Sequence, residues 1–230
     1  MIRADTLRSA ISTPGFTEQH HLEALDALIR EHAARVPGDI VEIGAYCGRS
    51  TVVLADVARD LGCKVVVIDL FPAKLDWERG YTVTTDGREL ALYPHGIEEC
   101  AKHGVELARR EIAVNQFAEF LQAIEGSGFR DEVHVARDEA WAFLTSFPTL
   151  KIRAAFIDGD HSYEAVVRDI RAVHKNLSPD AIVVLDDYDF PGVARAIADM
   201  LTPANGYTRI PGVTALYAAR FTPSTERGAP

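Results

Sequence analysis

Two apolar runs in the second half of the chain end in acidic residues. The run "RAAFID" ends in Asp158, with Asp160 and His161 close behind it, and the run "AIVVLD" ends in Asp186, which Asp187 follows directly. If these runs are neighbouring strands, their carboxylates meet at one edge and repel one another unless a cation, protonation or an arginine offsets them. Oxygen ligands suit Mg²⁺ or Mn²⁺. We therefore predict Asp158, Asp186 and Asp187 as metal ligands.

The same stretch offers two candidates for a general base. His161 is the first, because the ordinary pKa of imidazole lies near neutrality. Asp160 competes with it, although an aspartate here could instead cap the helix predicted to begin near Tyr163. Asp187 has a structural alternative as well, as a turn residue. The remaining histidines show no ligand spacing.

A glycine-containing turn stands in the first half of the chain, in "EIGAYCGRST" at residues 42–51. Gly44 permits a tight turn out of a strand, and Gly48 permits a close approach to the backbone. The spacing matches neither the dinucleotide fingerprint nor the phosphate-binding loop. Asp69 ends the next strand, where a carboxylate can bind both hydroxyls of a ribose. The pattern predicts a nucleoside cofactor without a pyrophosphate.

Strand-like and helix-like segments alternate around these residues. We predict helices at 17–34, 50–61, 105–124, 138–144, 163–177 and from 191 to about 201, and strands at 39–44, 64–71, 131–136, 153–158 and 181–186. This alternation predicts an α/β fold with a mostly parallel sheet and helices on both faces. Two strands around Pro211 and Gly212 are expected to form a C-terminal antiparallel pair. Ligands of such sheets bind beyond the carboxyl ends of the strands.

The predicted organisation is an N-terminal helical segment (1–38), a catalytic domain (39–221) and a loose polar tail (222–230). Within the domain, residues 72–104 lose hydrophobic periodicity and hold Trp77, Tyr81, Tyr93, His95 and His103 among polar residues. A long aperiodic segment in a compact domain is often a functional lid. We expect this one to cover the acceptor.

Composition limits the classes of partner. The chain has 230 residues and a formal net charge of -10, and such a surface repels phosphate backbones, so nucleic acid is not an expected partner. Its three cysteines make neither a disulfide framework nor a zinc pattern. No signal peptide and no apolar run long enough to span a membrane are evident. These features predict a cytoplasmic protein with no membrane partner.

Two motifs resemble those of known enzymes. "GAYCG" resembles the glycine loop of catechol O-methyltransferase, while "IDGDHSYEAVVRDI" and "IVVLDDYD" resemble bacterial O-methyltransferases of macrolide sugars and antibiotic glycosides. The resemblance covers about residues 39–220, apart from 72–104. It implies the Rossmann-like fold of the class I S-adenosylmethionine-dependent methyltransferases, one divalent ion, and a small hydroxylated acceptor such as a sugar or natural product. Enzymes of this fold are often dimers or larger, so we expect a homo-oligomer.

The resemblance also implies the roles of individual residues toward S-adenosylmethionine. The residues that would line its methionine end are Glu42, Gly44, Gly48 and Ser50. Asp69 would bind the ribose, and Asp138 would lie near the adenine.

Two other classes of function stay open on sequence grounds. A nicotinamide oxidoreductase would share the strand, the turn and Asp69, but it requires a glycine spacing that this turn lacks. A protein of the same fold could instead be a hydroxylase or a ligand-binding module. The complete acidic set with His161 argues against loss of catalysis.

Overall fold

The computed structural model describes residues 1–71, 74–76, 81–83, 89–91 and 116–223. In these ranges the chain forms ten strands in chain order. They are β1 (Asp39–Ile43), β2 (Val65–Ile68), β3 (Lys74–Asp76), β4 (Tyr81–Val83), β5 (Glu89–Ala91), β6 (Val133–Ala136), β7 (Ile152–Ile157), β8 (Leu177–Leu185), β9 (Tyr207–Arg209) and β10 (Tyr217–Phe221).

Seven of these strands form the central sheet, in the order β6-β2-β1-β7-β8-β10-β9. The five from β6 to β8 run parallel, whereas β10 is antiparallel to both β8 and β9. This arrangement confirms the predicted fold, including the C-terminal antiparallel pair. The strand order reverses between β1 and β7, and an open parallel sheet binds its ligands at such a point.

Helices cover both faces of the sheet. Seven α-helices lie in the described ranges: α1 (Ala4–Ser12), α2 (Gln19–His32), α3 (Arg49–Leu61), α4 (Gln116–Ser127), α5 (Ala140–Ser146), α6 (Tyr163–His174) and α7 (Pro191–Met200). Side chains of β1 alternate between the faces: Ile40 packs in the layer of α2, α3 and α4, while Val41 and Ile43 pack in the layer of α5, α6 and α7. The alternation places Glu42 on the α3 side.

A network of ion pairs joins α2 to α3. Arg30 of α2 donates to Asp26 at 2.7 Å, to Asp56 of α3 at 3.0 Å and to Asp60 of α3 at 2.7 Å. Asp26 and Asp56 are almost wholly buried. Removing one partner of a buried ion pair leaves an uncompensated charge, which costs about 3–5 kcal/mol. The network therefore fixes the position of α2 against α3.

Several predicted boundaries were wrong. The helix predicted over 17–34 spans Gln19–His32, and its N-cap is Glu18, without a side-chain hydrogen bond. The helix predicted to reach residue 177 ends at His174, and β8 already begins at Leu177. The physical reason is that the Asn176 carbonyl accepts from Ile152 of β7, which starts the strand pairing early.

Residues 72–104 are not wholly irregular, as their lost periodicity suggested. β3, β4 and β5 form a separate antiparallel sheet there. A strand of three residues is too short to show an alternating pattern. The rest of this segment, including Trp77, lies outside the described residues, as do residues 105–115 of the predicted helix and the tail beyond 223. None of the described helices has both the length and the apolar character needed to cross a membrane.

Candidate active site

The turn after β1 lies against the loop after β7. Gly44 has a φ of 83°, and a Cβ there would stand 2.6 Å from the Gly159 Cα and against the Asp158 carbonyl oxygen. The Asp158 amide donates to the Ile43 carbonyl at 2.8 Å. Only glycine fits this position, both for its left-handed backbone and for the closeness of the second loop. The predicted cofactor turn and the predicted acidic loop are thus in direct contact.

Glu42 and the first turn of α3 form a buried polar group just below this contact. The Ser50 and Thr51 hydroxyls each donate to one oxygen of Glu42, both at 2.5 Å. Glu42 has no exposed surface. Burial raises its pKa to about 8, against the effect of the two hydroxyl bonds. Two of the predicted cofactor residues, Glu42 and Ser50, therefore contact each other.

Asp69, at the end of β2, fixes the glycine turn. Its Oδ2 accepts from the amides of Ala45 at 2.7 Å and Tyr46 at 3.0 Å, and its Oδ1 accepts from the Phe71 amide at 2.6 Å. Burial raises its pKa in spite of these bonds. A carboxylate offers about four lone-pair positions, so three backbone bonds leave room for about one more. Asp69 positions the turn in addition to any ribose that it binds.

The other two predicted cofactor residues have different surroundings. Gly48 has a φ of 93°, and a Cβ there would stand 3.0 Å from the Phe120 ring. The group that approaches its backbone is thus a side chain of the protein. Asp138, beyond β6, is exposed, and its carboxylate accepts from the Glu139 amide at 2.8 Å.

Asp158, His161 and Asp187 form the centre of the acidic edge. One ligand atom from each residue lies within 4.8 Å of the others. The His161 Nε2 atom stands 3.7 Å from Asp158 Oδ1 and 3.3 Å from Asp187 Oδ2. Its ring is nearly perpendicular to that of Phe190, with an interplanar angle of 78° and 5.1 Å between centroids. β7 and β8 bring these residues together as the sequence predicted.

Local backbone features shape this cluster. Asp187 has a left-handed φ of 48°, which is uncommon for a residue other than glycine. Gly192, in the first turn of α7, lies against the backbone of His161; a Cβ there would meet the His161 carbonyl oxygen and stand 2.9 Å from the Tyr163 nitrogen. The close approach of α7 thus fixes the loop that carries the imidazole.

The electrostatics of the cluster favour proton retention. Burial raises the pKa of Asp158 and of Asp187 above the ordinary value of an aspartate, and their neighbouring carboxylates add to the effect. Burial alone would lower the pKa of His161, but the hydrogen bond to Asp158 and the charges of Asp158 and Asp187 outweigh it and raise that pKa. The same surroundings thus favour a proton on His161 and oppose a negative charge on each of the two carboxyl groups.

Two predicted site residues lie outside the group of three and have polar partners of their own. Asp160 is exposed, and its Oδ1 accepts from the Ser162 amide at 2.7 Å; Ser162 itself caps α6. Asp186 is buried, and its Oδ1 lies 3.0 Å from the Nδ1 atom of His21 on α2. Sequence spacing does not indicate the His21 contact, because 165 positions separate the two residues.

Comparisons with known proteins agree with this geometry. A family model described as "Methyltransferase domain" matches residues 41–188. These residues run from β1 to just past Asp187, and they include the glycine turn, Asp69 and the acidic cluster. A search of the curated proteins finds no match.

Solved structures share the fold. CalS11, a TDP-rhamnose 3'-O-methyltransferase, is 19% identical; the match covers 94% of this chain and 92% of that chain, with a TM-score of 0.54. The O-methyltransferase NovP is 19% identical, with coverage of 96% and 89% and a TM-score of 0.58. The S-adenosylhomocysteine-bound methyltransferase PaMTH1 of Podospora anserina is 14% identical, with coverage of 96% and 89% and a TM-score of 0.58. At these identities the similarity concerns the fold.

Proposed function

The chain belongs to the family of methyltransferase domains, and we propose that it transfers a methyl group from S-adenosylmethionine to a hydroxyl oxygen of a small molecule. The observation that carries the proposal is the contact between the turn at Gly44 and the loop at Asp158 and Gly159. A methyl donor bound over the turn would lie beside the acidic cluster. Direct displacement needs the acceptor oxygen within roughly 3 Å of the methyl carbon, and the cluster is where an acceptor hydroxyl would meet polar groups.

The residues around the turn fit a nucleoside cofactor better than a dinucleotide. A pyrophosphate binds at the N-terminus of a helix through its amides. Here the first turn of α3 directs the hydroxyls of Ser50 and Thr51 to the buried Glu42. These two hydroxyl donors are thus engaged with Glu42 and are not available to a phosphate. Asp69 keeps about one acceptor position for a ribose hydroxyl, and Asp138 is accessible for the adenine.

A divalent cation fits the donor set of the acidic edge. Asp158 and Asp187 would hold it, with Asp186 as the third carboxylate. Their oxygens are ligands that Mg²⁺ and Mn²⁺ accept, and one atom each from Asp158, His161 and Asp187 lies within 4.8 Å of the others. When bound, the ion would neutralise the carboxylates and polarise the acceptor oxygen as a Lewis acid.

His161 is the base that we propose for the acceptor hydroxyl. Its Nε2 atom lies in the cluster, whereas Asp160 is exposed and bonded to the Ser162 amide. The carboxylates around the imidazole raise its pKa. Once they are neutralised, this attraction is lost and the neutral imidazole can take up the hydroxyl proton at Nε2.

For the acceptor we propose a sugar or natural-product hydroxyl. The supporting observation is that one structural neighbour acts on TDP-rhamnose. Residues 72–104, which we predict to cover the acceptor, would then choose among such molecules. A homo-oligomeric state remains a prediction.

Calorimetry and a methyl-transfer assay test the proposal. S-adenosylhomocysteine should bind with a Kd in the micromolar range, about -8 kcal/mol. Asp69→Ala should weaken binding about tenfold or more, since it removes a charged partner and also loosens the turn. Labelled S-adenosylmethionine should pass its methyl group to members of a sugar-nucleotide panel, with loss of turnover in EDTA and recovery with Mg²⁺. Binding of NADH without binding of S-adenosylhomocysteine would refute methyl transfer.

A further inference from the structure

His21 is the one residue of the N-terminal helices that the structure brings into polar contact with a predicted cation ligand, among the residues that it describes. Its Nδ1 atom lies 3.0 Å from Asp186 Oδ1 and 3.4 Å from Asp186 Oδ2. A carboxylate can only accept, so the Nδ1 atom carries the proton in this bond. The imidazole is about a quarter exposed, while Asp186 is 5% exposed.

The contact continues from Asp186 into the acidic cluster. Asp186 Oδ1, the oxygen nearer to His21, also accepts from the Asp187 amide at 2.9 Å. That amide belongs to the residue with the left-handed backbone. The orientation of the Asp186 carboxylate therefore bears on the direction in which the Asp187 side chain leaves the backbone.

The helix that carries His21 is held rigidly. Leu22, Leu25 and Ile29 of α2 have no exposed surface, and Arg30 joins the helix to α3. A group on a rigid element places its partner more precisely than a group on a loop does. α2 can thus hold the Asp186 carboxylate at a fixed distance from Asp158 and Asp187.

From this geometry we propose that His21 is a positioning residue for the cation site, orienting Asp186 and, through it, Asp187. The inference rests on the cation binding of the proposed function. Partners that orient metal ligands in this way typically contribute about 10- to 100-fold to metal affinity. The histidine acts through a ligand and need not touch the acceptor or the cofactor.

The test is the affinity for Mn²⁺, measured on the full chain by calorimetry and by the electron paramagnetic resonance signal of the unbound ion. His21→Ala should weaken Mn²⁺ binding about 10-fold or more. His21→Asn should retain most of the affinity, because the Asn amide nitrogen takes the position of Nδ1. His21→Gln places its donor farther from the backbone and should resemble His21→Ala. All variants should keep the affinity for S-adenosylhomocysteine, since the glycine turn is untouched.

His20→Ala is the matched control. His20 is the adjacent residue on the same helix, it is exposed, and its polar contact is with Glu18. Its ring packs on that of His21 at 4.3 Å between centroids. His20→Ala therefore removes this ring packing and leaves the Nδ1 donor of His21 in place. Its Mn²⁺ affinity should equal that of the wild-type protein.

The outcomes separate this inference from the proposed function. Equal Mn²⁺ affinity in wild-type and His21→Ala protein would overturn the role of His21 and leave cation-dependent transfer intact. If His21→Asn and His21→Gln lose the same amount of Mn²⁺ affinity, the role of His21 would also be overturned, because a donor at the position of Nδ1 would then have no special effect. If His21→Ala does not fold, the comparison of Mn²⁺ affinity between His21→Asn and His21→Gln still tests the role of His21. A wild-type protein that binds no Mn²⁺ while it binds S-adenosylhomocysteine would overturn the inference together with the cation, but not methyl transfer.

Discussion

The buried carboxyl of Glu42 should make the stability of the protein depend on pH in a way that one substitution removes. Its pKa is raised from 4.5 to about 8 by burial. Between these two values the folded state keeps the proton that the unfolded state releases. Stability is therefore highest below about pH 4.5, decreases as pH rises, and levels off above the folded pKa of about 8.

The size of the change in unfolding free energy follows from the shift in the pKa of Glu42. Each unit of pKa corresponds to 1.36 kcal/mol, so between pH 5 and pH 9 the Glu42 contribution should fall by about 4 kcal/mol. Glu42→Gln has nearly the same shape and carries no charge at any pH. The amide oxygen can accept from one hydroxyl, and the amide nitrogen can donate to the other, so Ser50 and Thr51 keep their partners.

The assay is urea unfolding of both proteins at intervals from pH 5 to pH 9. The difference between the two unfolding free energies should change by up to about 4 kcal/mol across this range, in favour of the variant at high pH, with the steepest part below pH 8. Asp158 and Asp187 also have raised pKa values, but both proteins carry them, so most of their contribution cancels in the difference. What remains is the repulsion between Asp158 and an ionised Glu42. Parallel curves for the two proteins would show that Glu42 is ionised throughout, and the reasoning from burial would then be wrong.

Three further predictions concern the acidic edge and its supports. Asp187→Asn should abolish turnover and retain S-adenosylhomocysteine binding; in calorimetric unfolding without metal it should be at least as stable as wild type, because a like-charge repulsion is relieved and Asn tolerates a positive φ. His161→Ala should lower kcat by about 10²- to 10⁴-fold with Mn²⁺ still bound, whereas Asp160→Asn should have little effect; the reverse pattern would make Asp160 the base. Gly192→Ala should lower the unfolding free energy by about 1–3 kcal/mol through overpacking against His161, while Gly126→Ala, with open space at its Cβ, should not destabilise.

The mostly parallel sheet and the convergence of the carboxylates were predictable from the sequence. Apolar runs that alternate with amphipathic helices leave few topologies. Any residue at the carboxyl end of a parallel strand then reaches the same edge, which is how Asp158 and Asp187 could be placed together from their positions alone. The left-handed turn at Gly44 was also evident, because a glycine directly after a strand marks such a turn.

The partners of these residues could not be predicted in the same way. Nothing in the spacing indicates that Asp69 accepts three backbone amides, because two of them belong to a turn more than twenty residues away. The Phe120 ring fills the space at Gly48 from a helix whose docking depends on tertiary packing. The contact between His21 and Asp186 joins distant parts of the chain for the same reason. Local periodicity reports which face of an element is buried, and it does not report which neighbour buries it.

Burial affects the charge of several acidic groups of the site in the same way. Glu42, Asp158 and Asp187 are each held in or near the protein interior, and burial shifts the pKa of each one toward the neutral form. A negative charge on these carboxyl groups is costly, because burial opposes it and the neighbouring carboxylates repel it. Ligands that carry positive charge, such as a sulfonium cofactor and a divalent cation, relieve this cost directly. Under the proposed function, the same carboxyl groups that lower the stability of the protein at high pH would favour the binding of a cationic methyl donor and a metal ion side by side.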